Sequence, residues 1–192
     1  SLNSMFKRQN SLTTLLIVVI SGFFLVQQYL YPDLYVKFAI AGSGYPEHSQ
    51  YYRLLTVALT HAGWTHLIFN MLALYQLGNI VENVFGELRY IIILLGSLLA
   101  GSFTSQFFLP PLGSAVGASG MIFGLFGALL VVGKQIGLNY NAVYGTLIIN
   151  AAIPFVDHNV DWHAHLGGLI GGAVTTFLVK SFNGPQKRLR NI

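Results

Sequence analysis

The chain contains no cysteine, which excludes disulfides and thiolate metal sites. Charge is nearly as scarce. Asp, Glu, Lys and Arg make up 8% of the 192 residues, against about 25% in ordinary soluble domains. Ten basic and six acidic side chains cannot cover a soluble surface of this size. Apolar residues, at 54%, take their place, and lipid is the natural solvent for such a surface. The net charge of +4 does not indicate nucleic acid, because the cations fall at the ends of apolar runs and not along one face. The first apolar run is long and lacks a small-residue cleavage site, so it reads as a span and not as a cleaved signal.

A spanning helix needs about 20 mostly apolar residues. Residues 11–30 meet this. A second span covers 64–85, interrupted by His66, Asn70, Gln76, Asn79 and Glu82. No charge occurs between Tyr90 and Gly133, a stretch too long for one span. Pro110-Pro111 divides it into spans at 90–109 and 115–133. A fifth, weaker span lies near 142–156 and a sixth at 162–179. The expected fold is an all-α membrane protein, a six-helix transmembrane bundle over residues 11–180. Segments 1–10 and the basic tail 181–192 flank it. The connection 31–63 is too polar to span and too long to lack structure of its own. With six spans, eight of the ten Lys and Arg share the side of both termini, and only Lys37 and Arg53 lie opposite. That asymmetry places the termini in the cytoplasm.

This orientation brings His66, Asn70, Ser119 and His165 to the outer ends of their helices. Ionisable groups in a span are costly and face the bundle interior or a water-filled cavity. Ser119 and His165 suit a nucleophile and its general base, since a serine hydroxyl is weak until a base takes its proton. Gly120, Gly124 and Gly127 follow the serine, and Gly168 and Gly172 follow the histidine on its own face. Small residues at four-residue spacing let membrane helices approach closely. His66 and Asn70, one turn apart, suit an oxyanion hole together with the Ser119 backbone N–H.

These residues also carry a resemblance. Gly117-Ala118-Ser119-Gly120 resembles the GxSG segment of the rhomboid intramembrane proteases. The stretch from Ala164 and His165 to Gly168 is similar to their AHxxG segment. His61, His66 and Asn70 match HxxxxHxxxN, and Gly78, Glu82 and Gly86 match GxxxExxxG. Tyr52-Arg53 looks like their WR dipeptide with Tyr for Trp. The matches run in the family's order from Tyr52 to Gly172. The resemblance implies a serine endopeptidase of the bacterial six-span type, resident in the inner membrane. It implies a Ser119–His165 dyad without a third acid, an outward-opening aqueous cavity and no cofactor. The substrates implied are membrane proteins cleaved in or beside a transmembrane segment. Phe123 stands where some members have Tyr, which keeps ring stacking against His165 and loses a hydroxyl contact.

Other readings attach to the same residues. A membrane-helix serine is usually a packing residue, and His66 and Asn70 also suit bonds between helices. His61 is expected to order the outer loop, Arg53 to brace it or meet lipid head groups, and Glu82 to accept from helix-end donors. Asp157, His158, Asp161 and His163 form a loop cluster of zinc-ligand types. No HExxH motif accompanies it, and no metal is expected. The segment 154–161 is expected to cap the cavity and move. A catalytically inactive rhomboid-like protein that binds membrane clients is the main alternative function. A channel or transporter is disfavoured by the apolar mid-depth of the third and sixth spans.

Overall fold

A computed structural model describes residues 11–156 and 160–181. Six long helical segments dominate it. Helix α1 is Ser11–Tyr29. The next segment is continuous over three parts: α4 (Trp64–Ala73), a π-helical turn (Leu74–Gly78) and α5 (Asn79–Phe85). Then follow α6 (Glu87–Phe108), α7 (Ser119–Val132), α8 (Asn141–Val156) and α9 (Trp162–Ser181). Leu12–Tyr29 and Glu87–Phe108 are long and apolar enough to cross a membrane, whereas α7 and α8 are apolar but shorter.

The expected fourth span opens four residues early. Residues 115–118 are not helical; Ser114–Ala115 is a short strand, β2, and Gly117 has φ +113°. At Gly86, φ +77° separates α5 from α6, a turn only glycine makes freely.

The connection from α1 to α4 is folded. It carries α2 (Leu34–Phe38), strand β1 (Ile40–Ala41) and α3 (Arg53–Thr56). Strand β1 pairs antiparallel with β2, Ile40 facing Ala115 and Ala41 facing Ser114. The Arg53 guanidinium donates to the Val36 and Ala39 carbonyls at 2.6 and 2.7 Å and to Gln50 Oε1 at 2.9 Å. Arg53 is buried, so it braces the loop and does not meet head groups. Tyr52 is half exposed and donates its hydroxyl to the Lys37 carbonyl at 3.1 Å.

Helix α7 is the centre of the bundle. Every residue from 115 to 129 is buried, and the helix packs between α6 and α9. Helices α1 and α8 are peripheral. Of α8 only Val143, Asn150 and Ile153 are buried, and α1 exposes Leu15, Val18, Val19 and Leu25. The exterior is thus as apolar as the core, the pattern of helices solvated by lipid.

Glu82 ties α1 to the bundle. Its carboxylate accepts the Leu12 and Thr13 backbone N–H groups at 3.2 and 2.9 Å and the Thr13 hydroxyl at 2.6 Å. These are first-turn donors that α1 cannot satisfy itself. Helix-end acceptance expected for Glu82 is what the geometry contains.

Candidate active site

Ser119 is the first residue of α7, and His165 lies in the first turn of α9. Both are buried, each 5% exposed. Glycines set the distance between the two helices. A Cβ on Gly168 would run into the Gly120 carbonyl, and one on Gly172 into the Gly124 carbonyl. A side chain on Gly127 would strike the Leu169 carbonyl. Backbones therefore touch along this seam, as the four-residue spacing predicts. Helix α6 completes the cluster, where a Cβ on Gly101 would stand 2.8 Å from the Ala164 carbonyl.

The His165 ring stacks on Phe123, with centroids 4.1 Å apart and planes 8° from parallel. Phe123 lies four residues, about one 5.4 Å turn, beyond Ser119 on the same face of α7. Serine and histidine therefore belong to one cluster. His165 Nε2 is buried and has no hydrogen-bond partner among the described residues. No hydrogen bond between the two side chains is formed in this structure, and catalytic bonds of this kind are often long before substrate arrives.

His66 and Asn70 meet the same turn from α4. A Cβ on Gly117 would lie 2.7 Å from the His66 ring and 3.7 Å from Asn70 Nδ2. The Ala62 N–H donates to His66 Nδ1 at 3.4 Å, which leaves the ring proton of the neutral form on Nε2. Asn70 is fully buried, and neither of its amide atoms has a partner among the described residues. An amide buried without partners costs stability, which is a reason to look for a ligand at its donor.

His61 is fully buried and works through the backbone. Its Nε2 accepts the Ala118 N–H at 3.4 Å, so it holds the residue before Ser119. Burial, reinforced by the neighbouring His66, holds His61 well below the ordinary histidine value, at about 3. It is therefore neutral, as that acceptor role requires. Gln27 of α1 fastens the His61 backbone, donating to its carbonyl at 2.9 Å and accepting its N–H at 3.3 Å.

The structure thus gathers Ser119, His165, Phe123, His66, Asn70, Gly117, Gly120, Gly168 and Gly172, with His61 behind them. Arg53 and Glu82 lie elsewhere, in the α1–α4 connection and at the opposite end of the α4–α5 segment. The loop His and Asp cluster does not form a metal site among the described residues. Asp161 instead accepts the His163 backbone N–H and pairs with its ring, while Asp157 and His158 lie outside the described residues. The expected capping segment 154–161 is shortened, because α8 continues through Pro154 to Val156. Residues 157–159 of it lie outside the described residues, as do Lys7, Arg8 and the basic tail 182–192.

Three contacts have no counterpart in the sequence reading. One is Gln27 on His61, signalled only by a glutamine in an apolar run. A second is Gln76 in the π turn, which donates to the Ala142 carbonyl at 2.8 Å and accepts the Thr146 hydroxyl. The third is the small cavity that Ser105 and Asp161 line together with Ser119.

A family model described as the Rhomboid domain matches residues 48–182. The chain belongs to the rhomboid family. It is an integral membrane protein with a mostly helical rhomboid domain. Rhomboid protease GluP of Bacillus subtilis (strain 168) is 40% identical over 131 residues, covering 64% of this chain and 25% of GluP. YdcA of the same strain is 35% identical over 136 residues, covering 68% of each chain. RHOMBOID-like protein 2 of Arabidopsis thaliana is 40% identical over 140 residues, 69% of this chain and 43% of that protein. The chain therefore spans about a quarter of GluP and about two thirds of YdcA.

Proposed function

We propose that this rhomboid-family chain is an intramembrane serine endopeptidase that cleaves transmembrane proteins. The observation that carries the reading is the burial of Ser119 in one cluster with His165, whose ring stacks on Phe123 and whose Nε2 has no partner among the described residues. His165 Nε2 takes the Ser119 proton as Oγ attacks the scissile carbonyl. The oxyanion that forms is held by His66 Nε2–H, Asn70 Nδ2–H and the Ser119 backbone N–H, which α7 leaves free at its start. The C–N bond then breaks and His165 returns the proton to the leaving amine. A water, deprotonated by the same ring, hydrolyses the acyl-enzyme.

The membrane arrangement is part of the same proposal. The six helical segments span, with both termini cytoplasmic, as the Lys and Arg distribution indicates. Helix α7 has 14 residues, which is about 21 Å of rise. That is short of a ~30 Å hydrocarbon core, so the serine lies below the outer surface, and the buried segment 115–118 fills the remaining depth. Water must then reach a submerged site through the outer face.

Purified protein in detergent is expected to cut a reporter protein carrying a transmembrane segment. Ser119→Ala lowers the rate on the order of 10⁴-fold or more while the folded helical signal is kept. Residual cleavage at the wild-type rate in Ser119→Ala sinks the mechanism. Binding of the reporter without cleavage by the wild type turns the reading toward a client-binding, inactive relative.

A further inference from the structure

Helices α1 and α6 are fastened together near their first turns and part beyond them. The fastening is a hydrogen bond between the Thr13 and Tyr90 hydroxyls at 2.9 Å. Beyond it lies an apolar groove of about 360 Å³ between the two helices, walled on a third side by residues 55–59 of the α1–α4 connection. Ile20, Leu98 and Met121 are buried in its floor. Val19, Ile91 and Leu95 stand exposed at its rim.

The groove offers a ligand no polar handle. Thr56 is the one polar side chain among those lining it, and its hydroxyl is committed to the Phe38 carbonyl at 3.2 Å. Water does not settle in an apolar cavity, and walls left bare forfeit their dispersion contacts. An extended peptide would bury N–H and C=O groups without partners. A hydrocarbon chain carries no such cost. The size agrees, since an apolar cavity of about 150 Å³ already takes a benzene ring and this groove is more than twice that. From Leu12 to Ile20 its wall rises about 12 Å, within the ~15 Å that one leaflet contributes to a ~30 Å core. The rim is continuous with the apolar exterior of α1 and α6, the surface that lipid covers in an integral membrane protein.

We infer that this groove is a binding site for one acyl chain of a membrane phospholipid. The chain enters over the rim at Val19 and Leu95 and ends against Leu98 and Met121. Met121 lies two residues after Ser119, so it faces away from the Ser119–Phe123 side of α7. Leu98 also lines the small cavity beside Ser119. The chain therefore supports the start of α7 from behind and leaves the proposed site open. No step of the proposed cleavage enters this inference, and it stands or falls apart from that reading.

The test uses the full chain in phosphatidylcholine vesicles doped with a phospholipid that carries a photoactivatable carbene precursor near the end of one acyl chain. Adducts are mapped by peptide mass. Ile170 of α9 is 55% exposed and reports contact with bulk lipid, whereas Met121 is 5% exposed and is reached only through the groove. Adducts are expected at both positions, and a labelled Ile170 with a bare Met121 overturns the inference. Leu95→Trp fills the groove from its rim and is expected to lower the Met121 adduct on the order of tenfold relative to Ile170, since a chain added to a filled groove overpacks it. An unchanged Met121 adduct in that folded variant means the chain arrives by another route, and it overturns the inference too. Unlabelled phospholipid is expected to compete the Met121 adduct away. Competition by an unlabelled transmembrane peptide and not by phospholipid assigns the groove to a client helix and overturns the lipid site.

Discussion

At Gly117 the backbone turns through φ +113° while the His66 ring stands 2.7 Å from where a Cβ would be. Two separate penalties meet there. A left-handed conformation strains any L side chain, and the methyl displaces the donor proposed for the oxyanion. Gly117→Ala is therefore expected to cost about 1–3 kcal/mol of stability and to lower kcat more than it raises KM. Unfolding in mixed detergent and the kinetic split measure the two effects. A variant with full kcat removes His66 from the site. Asn70 is a different kind of residue, since neither of its amide atoms finds a partner among the described residues, which suits the donor role proposed for it. His61 shows why depth in the fold matters as much as identity. It has the same side chain as His66 and lies 5.0 Å from it between ring centroids, yet its ring nitrogen holds the backbone of Ala118.

Between elements, the seam of α7 with α9 decides whether the site exists. Its glycines carry no chemistry, but each removes a side chain from a place already occupied by the opposite backbone. Gly172→Val forces the helices apart near the proposed dyad, because the new side chain meets the Gly124 carbonyl and not a flexible side chain. Overpacking of this kind costs about 1–3 kcal/mol. Separation of the helices also moves His165 from Ser119, so activity is expected to fall with stability retained in part. Crystallographic or NMR evidence of an unshifted His165 in that variant would contradict the argument. The α4–α5 segment offers a contrast. Its π turn sets Gln76 against α8, where a polar clasp is one of few ties to a helix that buries little.

For the whole molecule, the claim at stake is orientation. The absence of cysteine makes the chain ready for single-cysteine labelling. Lys37→Cys is expected to react from outside with a membrane-impermeant maleimide in intact cells, and Lys134→Cys only after the membrane is opened. The reverse pattern would place the proposed site at the cytoplasmic face. Lys37 is suited to this because it lies in the α1–α4 connection, on an exposed turn of α2. Lys134 lies just beyond the end of α7.

Much of this architecture was legible in one dimension, because burial in lipid writes itself into composition. Helices without water need about 20 apolar residues and expel charge to their ends. The run lengths, the breaks at Pro110-Pro111 and the charge asymmetry follow directly. The glycine spacing announced close packing, and the residue patterns from Tyr52 to Gly172 announced the family. The start of α7 was not legible, since a strand pairing between residues 40–41 and 114–115 competes with helix there, and such a pairing is non-local. Nor was the division of labour among His61, His66 and His165, which depends on which backbone each ring faces. Ser105 and Asp161 lie 56 residues apart, and although Asp161 stood out in a loop cluster, nothing local places either of them beside Ser119. Composition and periodicity determined that this chain folds as a helical membrane protein with a serine and a histidine on facing helices. Only the tertiary structure decided which polar groups remain without partners beside that serine, because hydrogen-bond satisfaction is a property of neighbours brought together by the fold.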